Sequence, residues 1–265
     1  MSEIGFIGTG NMTTAIVNGI KNSDINWDIR LFDIDSKKAQ SLADSVGEVA
    51  AETVGELASE CDIIVLAVKP QNFPDVFKQI KGEINRQATI VSIAAGITAE
   101  QIKSGLGYDA KIVLAMPNTP MLMGCGAIAL SRILPTTEQE YKMVKDIFSL
   151  LGIAVDVPSD KMKEIIPING SSPAFIYLIA KGFVDYAVSV GIDQDSALQL
   201  FCKTLEGSAK MMTESGSSIE ELIKAVSSPG GTTIEGLKVL REQGLADTIK
   251  ATCEATTKRA YELSE

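Results

Sequence analysis

The chain has 265 residues of which 45% are apolar, enough to bury a sizeable core across two modest domains and too many for a chain disordered by default. Its formal net charge of -10 leaves no basic surface for nucleic acid or anionic membranes, so no partner of either kind is expected. The absence of histidine removes the commonest general acid/base and metal ligand, so a His-activated nucleophile is excluded and no metal site is expected.

A β-like run over 3–7 stops at Gly8, and apolar residues follow at helical spacing over 11–20, the pattern of strand, tight turn and helix. A second strand over 29–32 ends on Asp33. Ser36 suits the N-cap of a helix reaching 46, and Thr53 that of a helix reaching 59. The stretch 62–68, apolar from Ile63 onward, reads as a continuous strand of the buried, parallel type. Helices over 75–80 and 98–104 alternate with strands over 89–93 and 111–116, and a strand or loop lies around 127–131. Repeated βα units with right-handed crossovers give an α/β fold, a Rossmann doubly wound parallel sheet over 1–158.

Beyond about Pro158 the strand signal disappears, and 159–265 reads as an all-helical domain with breaks at 167–173, Gly191, Gly216 and 229–231. Residues 174–190 are apolar nearly all round, with Phe175, Ile176, Leu178, Ile179, Phe183, Val184 and Val188, more than one core contact can cover. This helix is expected to be buried between subunits, which makes a homodimer the minimum assembly and leaves further association open. Cys61, Cys125, Cys202 and Cys253 lie far apart without a CxxC pair, as expected of reduced, core-packing thiols in a cytoplasmic protein. No apolar run approaches the roughly 18 residues of a membrane span, and no charged leader precedes the first strand.

In a dinucleotide fold the first glycine permits the tight turn, the second admits the pyrophosphate, and the helix N-terminus offers free N–H groups. Gly8 and Gly10 fit those roles within Ile7-Gly8-Thr9-Gly10-Asn11-Met12, whereas the third glycine position holds Thr13, with Ala15 the nearest small residue. Asp33 can accept hydrogen bonds from an adenosine ribose and repel a 2′-phosphate, which favours NADH; Lys37 and Lys38 follow closely and offer a phosphate contact instead, so the choice between NAD and NADP stays open. Ala67, Val68, Lys69 and Pro70 leave the carboxyl end of a buried strand, where ligands bind in open α/β sheets; Lys69 reads equally as a phosphate or ribose contact and as an exposed lysine. Ala94, Ala95 and Asn118 also follow strands. Their small or turn-forming surroundings suit a flat nicotinamide ring, with Asn118 placed to orient its amide.

In the helical part, Pro229, Gly230 and Gly231 form a backbone nest before a helix starting near Thr232. Its free N–H groups suit a carboxylate, with hydroxyls from Ser228, Thr232 and Thr233, although an ordinary N-cap reads equally well. Taken together, GTGNM at 8–12, AVKPQ at 67–71, SIAAG at 92–96, MPNTP at 116–120, GSSPAF at 170–175 and SSPGGTT at 227–233 resemble the Δ1-pyrroline-5-carboxylate reductase family over essentially the whole chain. SSPGGTT is the most specific of them.

The resemblance implies an N-terminal Rossmann domain and a C-terminal helical dimerisation domain. It implies reduction of the small-molecule substrate 1-pyrroline-5-carboxylate to L-proline, the last step of proline biosynthesis, with NADPH, the family's common cofactor, or NADH. It further implies that Ser228, Gly230, Gly231, Thr232 and Thr233 bind the substrate, that Thr233 is the catalytic hydroxyl at the ring nitrogen, and that the site forms at the dimer interface. Ala225 and Val54 stand where the family often carries polar residues that reach the cofactor, so those contacts are expected to differ. A cyclic imine is basic enough to be met partly as an iminium, so little acid catalysis is required and the missing histidine is tolerable. Two rivals are weaker. Lys181 is superficially similar to the catalytic lysine of β-hydroxyacid dehydrogenases, but Gly170, Ser171, Ser172 and Tyr186 do not supply that group's surroundings; a cofactor-binding regulator without turnover has no use for SSPGGTT.

Overall fold

A computed structural model describes residues 2–24 and 27–263. Its first half alternates strands and helices: β1 (Ser2–Ile7), α1 (Asn11–Lys21), β2 (Trp27–Phe32), α2 (Ser36–Val46), β3 (Val49–Ala50), α3 (Val54–Glu60), β4 (Ile63–Leu66), α4 (Phe73–Ile80), β5 (Thr89–Ser92), α5 (Ala99–Leu106) and β6 (Lys111–Met116). Then come β7 (Gly126–Ile133), α6 (Glu138–Ser149), β8 (Gly152–Asp156) and the helices α7 (Ser172–Ser189), α8 (Gln194–Glu214), α9 (Ile219–Ala225), α10 (Thr232–Glu242) and α11 (Leu245–Glu262). Among the described residues the strands form one 8-stranded sheet in the order β3-β2-β1-β4-β5-β6-β7-β8. Neighbours pair in parallel except β6 with β7, which run antiparallel. The chain winds outward from β1 in one direction and from β4 in the other, so the strand order reverses between them.

The continuous apolar runs of the central strands are explained by cover on both faces. Ile64, Leu66, Ile90, Ile112 and Leu114 point to the side of α3, α4 and α5. The alternate residues Ile63, Val65, Val91 and Val113 point to the side of α1, α2 and α6, with Ile16, Tyr141 and Phe148. The expected strand 62–68 ends at Leu66, and Ala67 and Val68 already belong to the loop beyond it. The N-cap of α2 is Asp35, whose carboxylate accepts from the Lys37 N–H, and Ser36 is the first helical residue. The uncertain segment around 127–131 is the strand β7. The helix expected at 75 starts at Phe73, because Pro74 fits a first helical turn.

The chain divides into two compact units, one running through Ser171 and rejoined from Thr256, the other Ser172–Ala255. The stretch after 158 is non-strand as expected, but its first residues belong with the sheet: Met162 and Ile166 are buried in the core of the first unit, as is Ala260 near the end of α11. In the second unit, α7 and α8 stack Phe183 on Phe201 with ring centroids 4.5 Å apart. Tyr177, Leu178 and Tyr186 of α7 are each more than 60% exposed in the protomer. No helix is long and apolar enough to cross a membrane among the described residues.

Of the cysteines, only Cys61 is a core residue; Cys125 and Cys202 are exposed and Cys253 is half-buried, so core packing describes one of the four. Burial, reinforced by the nearby Glu3, pushes the Cys61 thiol up to about 12, which makes it an inert packing group. It sits under Gly5 in β1, where an added Cβ would lie 2.4 Å from Leu57 Cδ2 and 2.7 Å from Cys61 Sγ. The close approach of α3 to the strand therefore requires a residue without a side chain. Gly5→Ala is expected to cost about 1–3 kcal/mol by overpacking, and the cost to shrink when Leu57→Ala accompanies it. Urea unfolding of the two single variants, the double variant and the wild type measures both, and strictly additive losses would rule out α3 as the cause.

Candidate active site

The turn after β1 is shaped by a close approach. Gly8 adopts φ +103°, and a Cβ there would lie 2.7 Å from the carbonyl oxygen of Ala67, the first residue beyond β4. The Gly8 N–H donates to Phe32 O at 2.7 Å, and the Ala67 N–H donates to Ile7 O at 2.9 Å, so the ends of β1, β2 and β4 are tied together where the strand order reverses. That is the crevice in which open α/β sheets bind ligands. Thr13, which replaces the third glycine, is fully buried and donates its hydroxyl to Gly8 O at 2.6 Å, bracing the turn from the helix side. Ala15, also buried, faces the core on that side.

Gly10 caps α1 in an extended conformation with no side-chain cap bond, and a Cβ on it would meet nothing within 4 Å. Asn11 is exposed and Met12 half-buried against the core. The first-turn N–H groups of α1 therefore face open space with a partial positive charge, a cradle that fits the pyrophosphate of a dinucleotide.

Asp33 follows β2 beside the turn, with its carboxylate turned back onto Thr9. Oδ2 accepts from the Thr9 N–H at 2.8 Å and from the Thr9 hydroxyl at 3.0 Å, and Oδ1 accepts from the Asp35 N–H at 3.0 Å. Burial alone would raise the Asp33 carboxyl; the donors from Thr9 and Asp35, with Lys38 nearby, outweigh it and hold the group below the usual carboxylate range. Thr9, Thr14, Lys37, Lys38, Ser41 and Ser45 line a cavity of about 440 Å³ next to this turn.

Further along the same edge, register pairs Leu66 with Ser92 and Ser92 with Leu114, which sets Ala94 and Ala95 in the loop after β5 and Asn118 in the loop after β6. Val68 and Ala94 are half-buried, while Ala95 is exposed. Lys69 is exposed at the start of the 3-10 turn Pro70–Asn72. Asn118 is tied to the protein through both ends of its amide. It is buried, its Nδ2 donates to Asn169 O at 3.1 Å and its Oδ1 accepts from the Ala127 N–H at 3.0 Å, because a buried amide must be paired. Asn169, which sequence reasoning missed, completes the knot by donating Nδ2 to Met116 O at 2.7 Å and Ala127 O at 3.0 Å. Nothing local marks Asn169; its partners lie more than forty residues away.

The substrate candidates lie in the second unit. Gly230 adopts φ +73° and the Gly231 N–H donates to Ser228 O at 3.0 Å, closing a turn immediately before α10. A Cβ on Gly231 would meet Ser228 Oγ at 2.7 Å. Gly231 caps α10 without a side-chain bond, and Ser228, Thr232 and Thr233 are exposed. The contrast with other helices is informative: α2, α3, α5, α6, α8 and α9 are capped by Asp35, Thr53, Thr98, Thr137, Asp193 and Ser218, each accepting a backbone N–H. Thr232 and Thr233 do not close the start of α10, so its first turn is open to an anion as that of α1 is. Lys181 pairs with Asp185 on the exposed face of α7.

Residues 159–263 match the family model for pyrroline-5-carboxylate reductase dimerisation, and residues 3–96 match the model for NADP oxidoreductase coenzyme F420-dependent. The chain is 37% identical over 258 residues to the pyrroline-5-carboxylate reductase of Escherichia coli (strain K12), covering 97% of this chain and 95% of that protein. The structure of a pyrroline-5-carboxylate reductase from Coxiella burnetii aligns with a TM-score of 0.92 at 31% identity, covering 100% of this chain and 99% of the other. Plasmodium falciparum pyrroline carboxylate reductase, solved with NADP bound, aligns with a TM-score of 0.90 at 28% identity, covering 100% and 98%.

The two glycines of the turn make separable predictions. Gly10→Ala is expected to leave the melting temperature within about 2 °C, since its Cβ meets no protein atom, yet to weaken dinucleotide binding. Gly8→Ala is expected to lower both. Thermal melts and fluorescence titration with NADPH distinguish them; unchanged affinity in Gly10→Ala would mean that the pyrophosphate does not approach there.

Proposed function

The chain belongs to the pyrroline-5-carboxylate reductase family, and on that premise we propose how its residues divide the work of the reaction. It is an NAD(P)H-dependent oxidoreductase that reduces 1-pyrroline-5-carboxylate to L-proline. The observation that carries this reading is the presence, in one chain aligned end to end with the family, of two glycine-capped helix starts open to anions, at Gly10 and at Gly231.

Bound NAD(P)H supplies the hydride that adds to the C=N carbon, and solvent or a protein hydroxyl supplies the proton taken up at nitrogen. In our assignment Gly8 and Gly10 admit the pyrophosphate to the backbone, and the N–H groups of Asn11 and Met12 face it, with Ile7 and Thr9 setting the turn. Ala67, Val68, Lys69 and Pro70 border the ribose and phosphates, and Ala94 and Ala95 flank the nicotinamide half. Asn118 serves by holding its loop to Asn169 and Ala127. Ser228, Gly230, Gly231 and Thr232 hold the substrate carboxylate at the start of α10, and Thr233 orients the ring nitrogen. Functionally, residues 1–158 carry the dinucleotide, and residues 159–265 carry dimerisation and the substrate. The dimer is supported by the dimerisation family model and by the exposed apolar residues of α7. Four free thiols support a cytoplasmic setting.

Mixed with 1-pyrroline-5-carboxylate, the protein is expected to oxidise NADPH or NADH, followed as loss of nicotinamide absorbance. Turnover of 3-hydroxy acids in its place, or cofactor binding without turnover, would sink the assignment. Thr233→Ala is expected to lower kcat by roughly ten- to a hundredfold with cofactor affinity preserved, and an unchanged kcat would remove Thr233 from this role. The cavity beside Thr9 favours NADPH: the Lys37→Ala/Lys38→Ala double variant is expected to weaken NADPH binding about tenfold at low salt and NADH binding less than about twofold. Calorimetric titration with the two cofactors measures this, and equal losses would refute a 2′-phosphate contact.

A further inference from the structure

An acidic residue at the end of the second strand is ordinarily read as a partner of the adenosine ribose that turns away a 2′-phosphate. Here the geometry assigns it a different task. We propose that Asp33 is a positioning residue that sets the pyrophosphate-binding turn through Thr9, acting on NADH and NADPH alike without selecting between them. The inference rests on the assignment of that turn to a nicotinamide dinucleotide.

Three donors already occupy the carboxylate. Oδ2 takes both the N–H and the hydroxyl of Thr9, and Oδ1 takes the Asp35 N–H. A carboxylate offers about four acceptor positions, so little of Asp33 is left to face a ribose. Thr9 is 92% buried, being only 8% exposed, and cannot pair its N–H with water freely. Directing that N–H to Asp33 turns the Thr9 peptide away from the ligand side, and leaves the N–H groups at the start of α1 to meet the phosphates. Each of the turn's first two residues is thereby gripped. Gly8 is held by Phe32 O through its N–H and by the Thr13 hydroxyl through its carbonyl, and Thr9 is held by Asp33. A loop fixed in its binding conformation loses less entropy on binding, so the clasp strengthens affinity without touching the ligand. The groups suited to telling a 2′-phosphate from a hydroxyl are elsewhere, at Lys37 and Lys38 in the cavity beside Thr9.

The discriminating variants are Asp33→Ala, which removes the clasp, and Asp33→Asn, which removes the charge but keeps an oxygen able to accept both Thr9 bonds. Dissociation constants for NADH and NADPH are measured by calorimetry on the dimer, and amide exchange at Thr9 by NMR. Asp33→Ala is expected to weaken both cofactors by a similar factor of about ten, with kcat at saturating cofactor retained and the protected Thr9 amide of the wild type made to exchange freely. Asp33→Asn is expected to lie closer to the wild type, with the ratio of the two dissociation constants unchanged. A selective gain in NADPH affinity in either variant overturns the inference, as does an unprotected Thr9 amide in the wild type or an Asp33→Ala protein that binds both cofactors normally. A wild-type protein that binds neither dinucleotide overturns the functional reading itself, and this inference with it.

Discussion

The contact between Gly8 and the Ala67 carbonyl is the constraint on which the nucleotide-binding unit turns. At 2.7 Å from where a Cβ would stand, that carbonyl leaves room for hydrogen alone, and the turn's φ of +103° belongs to glycine as well. Because the two strand ends touch, the Ala67 N–H can reach Ile7 O while the Gly8 N–H reaches Phe32 O, and three strands finish at one level. The first turn of α1 then starts at the sheet edge with its N–H groups pointing outward. A side chain at position 8 would separate β1 from β4 or rotate the peptide, and either change redirects the open helix start proposed to meet the pyrophosphate.

Much of this was legible in the sequence, for physical reasons that differ by element. Strands buried on both faces declare themselves as runs such as Ile63-Ile64-Val65-Leu66, since side chains on both faces pack into apolar core. Edge elements carry no such obligation. β3 has two residues, and β8 is largely exposed, so neither shows a periodic signal. The helix α6 was missed despite a capping box at Thr137 and Glu140 that could have found it. Glycines at 8, 10, 230 and 231 were readable because backbone conformation is written locally. The partners of Asp33 and Asn169 were not, because a hydrogen bond between residues 24 or 53 apart follows from the fold and from no local pattern. Asp33 and Asn118 illustrate the consequence. Both are polar residues correctly placed at the sheet edge, yet their side chains face inward to satisfy backbone groups.

The second unit obeys a different accounting. Its helices are short of buried residues: α8 buries Ala197, α10 buries none, and α7 buries Pro173 and Ala187. A helix that exposes Tyr177, Leu178, Phe183 and Tyr186 leaves an apolar surface that water disfavours by about 25 cal/mol per Å². The same composition that makes α7 apolar nearly all round therefore makes the monomer an incomplete fold, and association supplies the missing core. Where association completes a core in this way, stability is linked to protomer concentration.

An acidic chain must also solve an electrostatic problem, because its cofactor is an anion, its substrate carries a carboxylate, and a net charge of -10 opposes the approach of negative groups. Lysines clustered at each site are one remedy, but they bring strongly hydrated charges that must be desolvated. Helix N-termini provide an alternative, since about half a unit of positive charge comes with N–H donors already oriented. For that charge to be usable the cap must not consume it. Thr53 and Ser218 spend their oxygens on the first-turn N–H groups of α3 and α9, whereas Gly10 and Gly231 have none to spend. Glycine at these two caps forgoes roughly a few tenths of a kcal/mol relative to a serine or aspartate, and leaves first-turn N–H groups that an anion can pair. On the assignment proposed for these two helix starts, the residue that looks least functional is thus the one that keeps each open.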